Sequence, residues 1–201
     1  TMTANPNWEE IRRELFIGQE SSDRSDLISR VFKLKLQCFI DCITKKEIFG
    51  KHKAFMYVIE YQKRGLPHAH CLFWLENPVH LSDADKFVSA EIPDPQLDPE
   101  LFGLVTTHMI HGPCGPFKPT SPCMKDFKCT KRFPKKYISE TKIDGDSYPI
   151  YKRRSPEQGG QSYQLTRGDK TMIVTNEWVV PYNPILLKAF KCHINVEMCN
   201  S

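Results

Sequence analysis

Ala54-Phe-Met-Tyr-Val-Ile-Glu60, Tyr61-Gln-Lys-Arg-Gly-Leu-Pro67 and His68-Ala-His-Cys-Leu-Phe-Trp-Leu75 follow one another without a break. The outer segments are rich in β-branched and aromatic residues and read as strands, and the Gly and Pro within Lys63 to Pro67 suit a hairpin loop between them. On a strand, residues i and i+2 share a face, so His68 and His70 can offer two imidazoles to one ion. Antiparallel pairing returns Glu60 or Gln62, which share a strand face, to the neighbourhood of those imidazoles. The product is a three-ligand site of N and O donors with coordination positions left for water or a phosphate. Either Glu60 or Gln62 can be the third ligand; Glu60 is the stronger donor for a hard cation such as Mg2+ or Mn2+, the ions such a site would use. A bare His-x-His is a weak signal, since such pairs often only hydrogen-bond. The carboxylate on the neighbouring strand and the apolar continuation Cys71-Leu-Phe-Trp-Leu75 supply the support that a metal site needs. Tyr57 and Tyr61 alternate away from the Glu60 face, which predicts that they pack in the core or against a helix.

The rest of the chain bounds the architecture. With 201 residues and 40% apolar content it can form a globular domain of ordinary size, with or without a small appendage. There is no run of 18 apolar residues and no basic-then-apolar leader, so nothing points to a membrane partner or to secretion. The abrupt opening Thr1-Met-Thr-Ala and the close at Ser201 suggest a piece of a longer protein. Asn7 and Glu10 resemble a capping box that would start a helix over Trp8 to Ile17, and helical spacing of apolar residues predicts the main helix from Ser25 to Ile43. Further helices are predicted near Asp83 to Ser89, Leu101 to His111 and Ile185 to Phe190. Strands are predicted at Thr171 to Val174, Glu177 to Val180 and His193 to Glu197. Together these give an α+β fold with a central antiparallel sheet of about five strands, the His68 strand in the middle, and helices packed on one face. Residues 1–112 and 169–201 form the core in this reading, and 113–168 a loop-rich basic insertion.

Charge is segregated. Lys118 to Arg154 holds eleven Lys and Arg against four Asp and Glu, whereas Glu76 to Glu100 holds seven acids and one Lys. Within the basic stretch, Lys131, Arg132, Lys135 and Lys136 alternate with aromatics, as do Tyr151, Lys152, Arg153 and Arg154. Cations beside stackable rings suit single-stranded nucleic acid, although a solvated basic loop has the same composition. Tyr137, Tyr148 and Tyr151 are candidates for stacking on bases, while Tyr182 reads as structural.

Eight cysteines in 201 residues are too dilute for a disulfide scaffold, which fits a reducing, intracellular setting. Cys38, Cys42 and Cys71 sit in apolar patterns and read as buried thiols. His111, Cys114, Cys123 and Cys129 place four N/S donors in 19 residues of a coreless segment, which suits a structural Zn2+, although the spacing is not that of paired Cys-x2-Cys knuckles. His108 lies one helical turn before them. His193, with Asn195 and Glu197, is a weaker candidate for facing the metal site.

Tyr57-Val-Ile-Glu-Tyr-Gln-Lys-Arg-Gly-Leu-Pro-His-Ala-His70 resembles the metal motif of the Helitron transposase, a rolling-circle replication initiator (Rep) of the HUH endonuclease superfamily. Thr1-Met-Thr-Ala-Asn-Pro-Asn-Trp-Glu-Glu-Ile11, Arg30-Val-Phe-Lys33, Ile48-Phe-Gly50, His111-Gly-Pro-Cys-Gly115, Cys129-Thr-Lys-Arg-Phe-Pro-Lys135, Tyr151-Lys-Arg-Arg154, Trp178-Val-Val-Pro-Tyr-Asn-Pro184 and His193-Ile-Asn-Val-Glu197 are similar to further strings of that family, in the same order. The resemblance implies a nuclear transposon protein that cuts and joins single-stranded DNA at transposon ends. In such enzymes the ion polarises the scissile phosphate, and a tyrosine attacks to leave a 5'-phosphotyrosine and a free 3'-hydroxyl. It also implies a C-terminal helicase domain in the same polypeptide. The family's tyrosine pair would follow the strand at His193 to Glu197, so the nucleophile is expected after Ser201. A non-catalytic single-stranded DNA-binding remnant of a transposon is the alternative. A cupin-like site using Glu76 is disfavoured, because Glu76 ends an apolar strand and the Gly-rich second cupin motif is missing.

Overall fold

The computed structural model describes residues 1–62, 65–112, 114–143, 148–167 and 170–199. It divides into two compact units, one of Thr1–His80 with Ile185–Asn195 and one of Leu81–Pro184 with Val196–Ser201. Residues 113–168, the basic stretch of the sequence, fall inside the second unit together with residues 81–112. Lys63 and Arg64 of the expected hairpin loop, and Pro113 and Gly168 at the ends of the basic stretch, lie outside the described residues.

In the first unit, β1 (Met2–Thr3) is followed by a single-turn helix α1 (Glu9–Arg12), the long helix α2 (Ser25–Thr44), and the strands β2 (His52–Tyr61) and β3 (Pro67–Leu75). The three strands form an antiparallel sheet in the order β1-β3-β2, with the His68 strand in the middle. The expected sheet of about five strands is therefore not formed: the fold is mixed α/β with several small antiparallel sheets. Helix α2 matches its predicted span within a residue. It buries Ile28, Phe32, Leu36, Phe39, Ile40 and Ile43, a stripe at helical spacing that faces the sheet at β3. Ala69, fully buried on β3, is small enough to let the helix approach.

The segment after Pro184 closes this unit. Helix Pro184–Phe190 buries Leu186, Leu187 and Phe190, and the Phe190 ring meets Phe39 edge-on at 5.7 Å. The Trp8 indole N–H donates to Phe190 O (2.7 Å), and Asn5 Nδ2 donates to Lys191 O (2.7 Å). His193 to Glu197 was expected as a strand. Only Ile194 forms a bridge, to Met2, supported by the Thr3 N–H donating to His193 O (3.0 Å), because β1 is too short to offer a longer ladder. The helix expected over Trp8 to Ile17 stops at Arg12, and its start carries no side-chain cap. Asn5, not Asn7, makes the local turn, its side chain accepting the Asn7 N–H (2.9 Å).

Strand β2 is the sheet's edge, and its residues are exposed from Lys53 to Tyr61. Tyr57 (47% exposed) and Tyr61 (63%) are accordingly not core residues, although Tyr61 does reach α2 through a hydrogen bond with Ser29 Oγ (3.3 Å). The two tyrosines do alternate away from Glu60, but the helix covers β3 and leaves its neighbour open. Cys38 is likewise exposed on α2, with Cys42 and Cys71 half-buried.

The second unit begins with α3 (Ala84–Phe87) and α4 (Pro99–His108). Asp98 caps α4 by accepting the Leu101 N–H, and Pro99 occupies its first turn, where a missing N–H costs nothing. The remainder is three two-stranded hairpins: β4 (Met124–Lys125) with β5 (Lys128–Cys129), β6 (Lys142–Ile143) with β7 (Pro149–Ile150), and β8 (Tyr163–Arg167) with β9 (Lys170–Val174). The strand expected at Glu177 to Val180 is a single 3-10 turn, Asn176–Trp178, followed by one bridge between Ile110 and Val179. Tyr182 is structural as expected, buried with its hydroxyl donating to Glu91 O (2.9 Å).

Phe32 is almost fully buried in the middle of the α2 stripe. Phe32→Ala should lower the unfolding free energy by about 3–5 kcal/mol, read as a fall in urea midpoint with an unchanged m-value. A loss below about 1 kcal/mol would mean that α2 does not pack as described.

Candidate metal centre

The β2–β3 register sets Glu60 directly opposite His68 and Val58 opposite His70, so Glu60, His68 and His70 occupy one face of the hairpin. One ligand atom from each lies within 4.8 Å of the others, a grouping that could hold a metal ion. His70 Nε2 and Glu60 Oε1 are already 3.0 Å apart, about the spacing of two ligands at right angles around an ion held at 2.1 Å. The two imidazoles meet edge-on with ring centres 4.6 Å apart. Gln62, the other candidate for third ligand, is exposed just beyond β2, and its N–H donates to Leu66 O (3.0 Å) at the turn.

The two histidines differ in environment. His70 is half-exposed, whereas His68 is buried, with its Nδ1 in a 2.7 Å hydrogen bond to Thr3 Oγ1 on β1. That bond fixes the ring and leaves Nε2 free as a ligand atom. Burial, with the neighbouring His70 and the N-terminal ammonium group, pushes the His68 pKa down to about 4, against the opposing pull of Glu60. His68 is therefore neutral, the form that binds a metal, throughout the physiological range. The sequence carries no mark of this role for Thr3, since nothing local to β1 signals which strand it will pair with.

A second grouping lies in the other unit. His111, Cys114, Cys123 and Cys129 place one ligand atom each within 4.8 Å of the others, with Cys129 Sγ 3.4 Å from His111 Nε2. His108, on α4, is not among them. Local geometry supports the four. The His111 N–H donates to Trp178 O (2.8 Å), and its ring stacks on Phe133 at 4.2 Å, which in turn lies parallel to Trp178 at 6.5 Å. Burial, followed by hydrogen bonds with Cys129 and Cys123, pushes the Cys114 thiol up to about 12. Cys129 moves the other way: despite burial, the N–H groups of Phe133 and Lys131 stabilise its thiolate. Three sulfurs and an imidazole in this proximity suit a soft, tetrahedral ion.

The basic motif divides into two environments. Tyr151 (5% exposed) accepts the Met198 N–H on its hydroxyl (2.7 Å), so it is not available to stack on a base. Arg153 (3% exposed) is also interior: its guanidinium donates to Ala90 O, Asn176 O (2.5 Å) and Val179 O (2.7 Å), and burial pushes its pKa down to about 10. Arg154 pairs with the Glu91 carboxylate at 2.6 Å, and Lys152 is half-buried with its N–H on Thr141 Oγ1. The Tyr151 to Arg154 string thus ties the unit's interior together, because its backbone bridges Ile138 inside the fold. Tyr137, also considered for stacking, spends its hydroxyl on Thr175 and Glu177. Lys131, Arg132 and Lys136 are exposed, and Lys135 is half-buried with Nζ 5.1 Å from the Phe133 ring centre.

Residues 1–73 match the family model of the Helitron helicase-like domain at N-terminus. This part of the chain is Helitron-related. No curated protein matches the chain. The Helitron-related segment contains all of β1, α2 and β2 and most of β3, and with them Thr3, Glu60, His68 and His70. The His111 and cysteine group lies beyond it, as do the later strings of the Helitron resemblance.

Two consequences can be measured. Thr3→Val should weaken Mn2+ binding by about 10–100-fold, the usual effect of losing a hydrogen bond that orients a ligand, in an isothermal titration. In the metal-free protein, stability should fall as pH drops from 6.5 towards about 4, because the unfolded chain takes up a proton that folded His68 refuses. His68→Gln should remove up to about 1.4 kcal/mol per pH unit of that slope in chemical denaturation; an unaltered slope would rule out His68 as its source.

Proposed function

We propose that the chain supplies the metal-holding half of a Helitron-type, single-stranded DNA endonuclease and strand transferase. The observation that carries this reading is the convergence of Glu60, His68 and His70 on one face of a hairpin inside the Helitron-related segment. Glu60, His68 and His70 would hold a hard divalent cation and leave it accessible to a phosphate. Held there, Mg2+ or Mn2+ would polarise the scissile phosphate and stabilise its developing charge. Thr3 holds the His68 ring, and Glu60 and His70 would exchange their mutual hydrogen bond for the ion. The attacking hydroxyl is assigned, on the Helitron resemblance, to a tyrosine expected after Ser201; Tyr57 and Tyr61, the tyrosines of β2, alternate to the face opposite Glu60.

The partners in this reading are single-stranded DNA at transposon ends and a helicase domain of the same protein, acting in the nucleus. His111, Cys114, Cys123 and Cys129 would hold a structural Zn2+, which would order a region built from two-residue strands.

Substitution of Ala for both His68 and His70 tests the catalytic role. Mn2+ binding, followed by calorimetry, should be lost while affinity for single-stranded DNA stays within about twofold. A longer chain carrying the tyrosine should lose cleavage with the same change. Unaltered metal binding and unaltered cleavage would refute the enzymatic reading and leave a non-catalytic DNA-binding protein.

A further inference from the structure

The β4–β5 hairpin combines features that each disfavour it as an isolated turn. Its two loop residues, Asp126 and Phe127, both have positive φ (48° and 59°), the conformation of a tight hairpin turn that Asn-Gly would adopt with less strain. Phe127 is nonetheless 96% exposed, the most exposed aromatic side chain among the described residues. Lys125 and Lys128 are register partners, like charges set directly across the hairpin. Lys131 and Arg132 follow on the same connection, both exposed, and Arg132 is again at positive φ (57°). Against these cations stands one acid in the turn, Asp126.

The hairpin is anchored at its base, through both strands. Cys123 immediately precedes β4 and Cys129 ends β5, with the Thr130 N–H donating to Cys123 O (2.7 Å). Both cysteines belong to the four-residue N/S group. A strained turn that displays a bare ring between opposed lysines from so firm a base fits a ligand that is anionic and offers a flat π-face. Anionic lipid would match the charge, but one ring without an amphipathic helix offers little to insert.

We propose that the tip of this hairpin is a contact for single-stranded nucleic acid. The Phe127 ring stacks on an unpaired base, and Lys125, Lys128, Lys131 and Arg132 take the flanking phosphates. The inference rests on the DNA-directed reading above and on the structural ion that would hold the hairpin's base.

The test uses the full chain, with zinc content measured by emission spectroscopy for every variant. Phe127→Gly should bind labelled oligo-dT about 10-fold more weakly at fixed salt, within the range of one lost base stack, with a thermal midpoint unchanged or raised. Phe127→Leu, which keeps apolar bulk without a ring, should lose affinity in the same way. Lys125→Ala with Lys128→Ala should reduce the salt dependence of log affinity by about 1.4, the value for two single-strand phosphate contacts. Wild-type affinity of zinc-loaded Phe127→Gly or Phe127→Leu overturns the proposal. So does an equal loss on duplex DNA, which has no free base, or a loss confined to phosphatidylserine vesicles. Zinc-free wild-type protein would remove the anchor on which the inference depends. Failure here is separable from failure of the metal centre: if His68→Ala with His70→Ala abolishes Mn2+ binding while Phe127 variants bind oligo-dT normally, only the hairpin contact falls.

Discussion

The antiparallel register between β2 and β3 is the constraint from which the candidate centre follows. With Glu60 across from His68, the two-residue period of a strand carries His70 to the same face, one diagonal step from Glu60. A slip of one residue would send both imidazoles to the α2 side, into the space now taken by Ala69. Two features hold the register. Strand β1 pairs Thr3 with His68, and Ala69 is fully buried on the face turned to the helix. The same pairing that continues the sheet therefore orients a ligand ring, so stability of the hairpin and readiness of the site share one set of contacts.

The two candidate ion groups obtain their geometry in different ways. Glu60, His68 and His70 stand on a hairpin with nine registered residue pairs, backed by a 20-residue helix. His111, Cys114 and Cys123 instead lie on connections, Cys129 ends β5, and the two-residue strands β4 and β5 cannot bury a core of their own. Here the supporting contacts are ring stacks and backbone N–H groups around the sulfurs. A regular sheet presents ligands that are already placed, while a loop-rich region needs the ligand set itself to tie it together.

Much of this was legible in one dimension. The alternation from Ala54 to Leu75 and the Gly-Leu-Pro turn gave both long strands and the face of the histidines, and the apolar spacing from Leu27 to Ile43 gave the long helix. These are long periodic signals, which local sequence can carry. The spacing of His111, Cys114, Cys123 and Cys129 also marked a group that does assemble. The misreadings came from short signals whose outcome depends on distant partners. Glu177 to Val180 and His193 to Glu197 look like strands, yet each finds only a single bridging neighbour and stays irregular. Within the string Tyr151 to Arg154, whose composition is that of a nucleic-acid contact, Tyr151 and Arg153 turn inward, Arg153 to satisfy three interior carbonyls.

The sequence by itself determined the elements that depend on nearby residues: the hairpin, its face, the long helix and the donor types available to an ion. Periodicity and turn chemistry act over a few residues, so they survive without knowledge of the fold. Tertiary structure decided which charged and aromatic residues reach solvent, that β2 is an edge, and that Thr3 rather than any neighbour of the histidines orients His68. Burial and cross-strand pairing are set by segments tens of residues away, and composition alone carries no record of them.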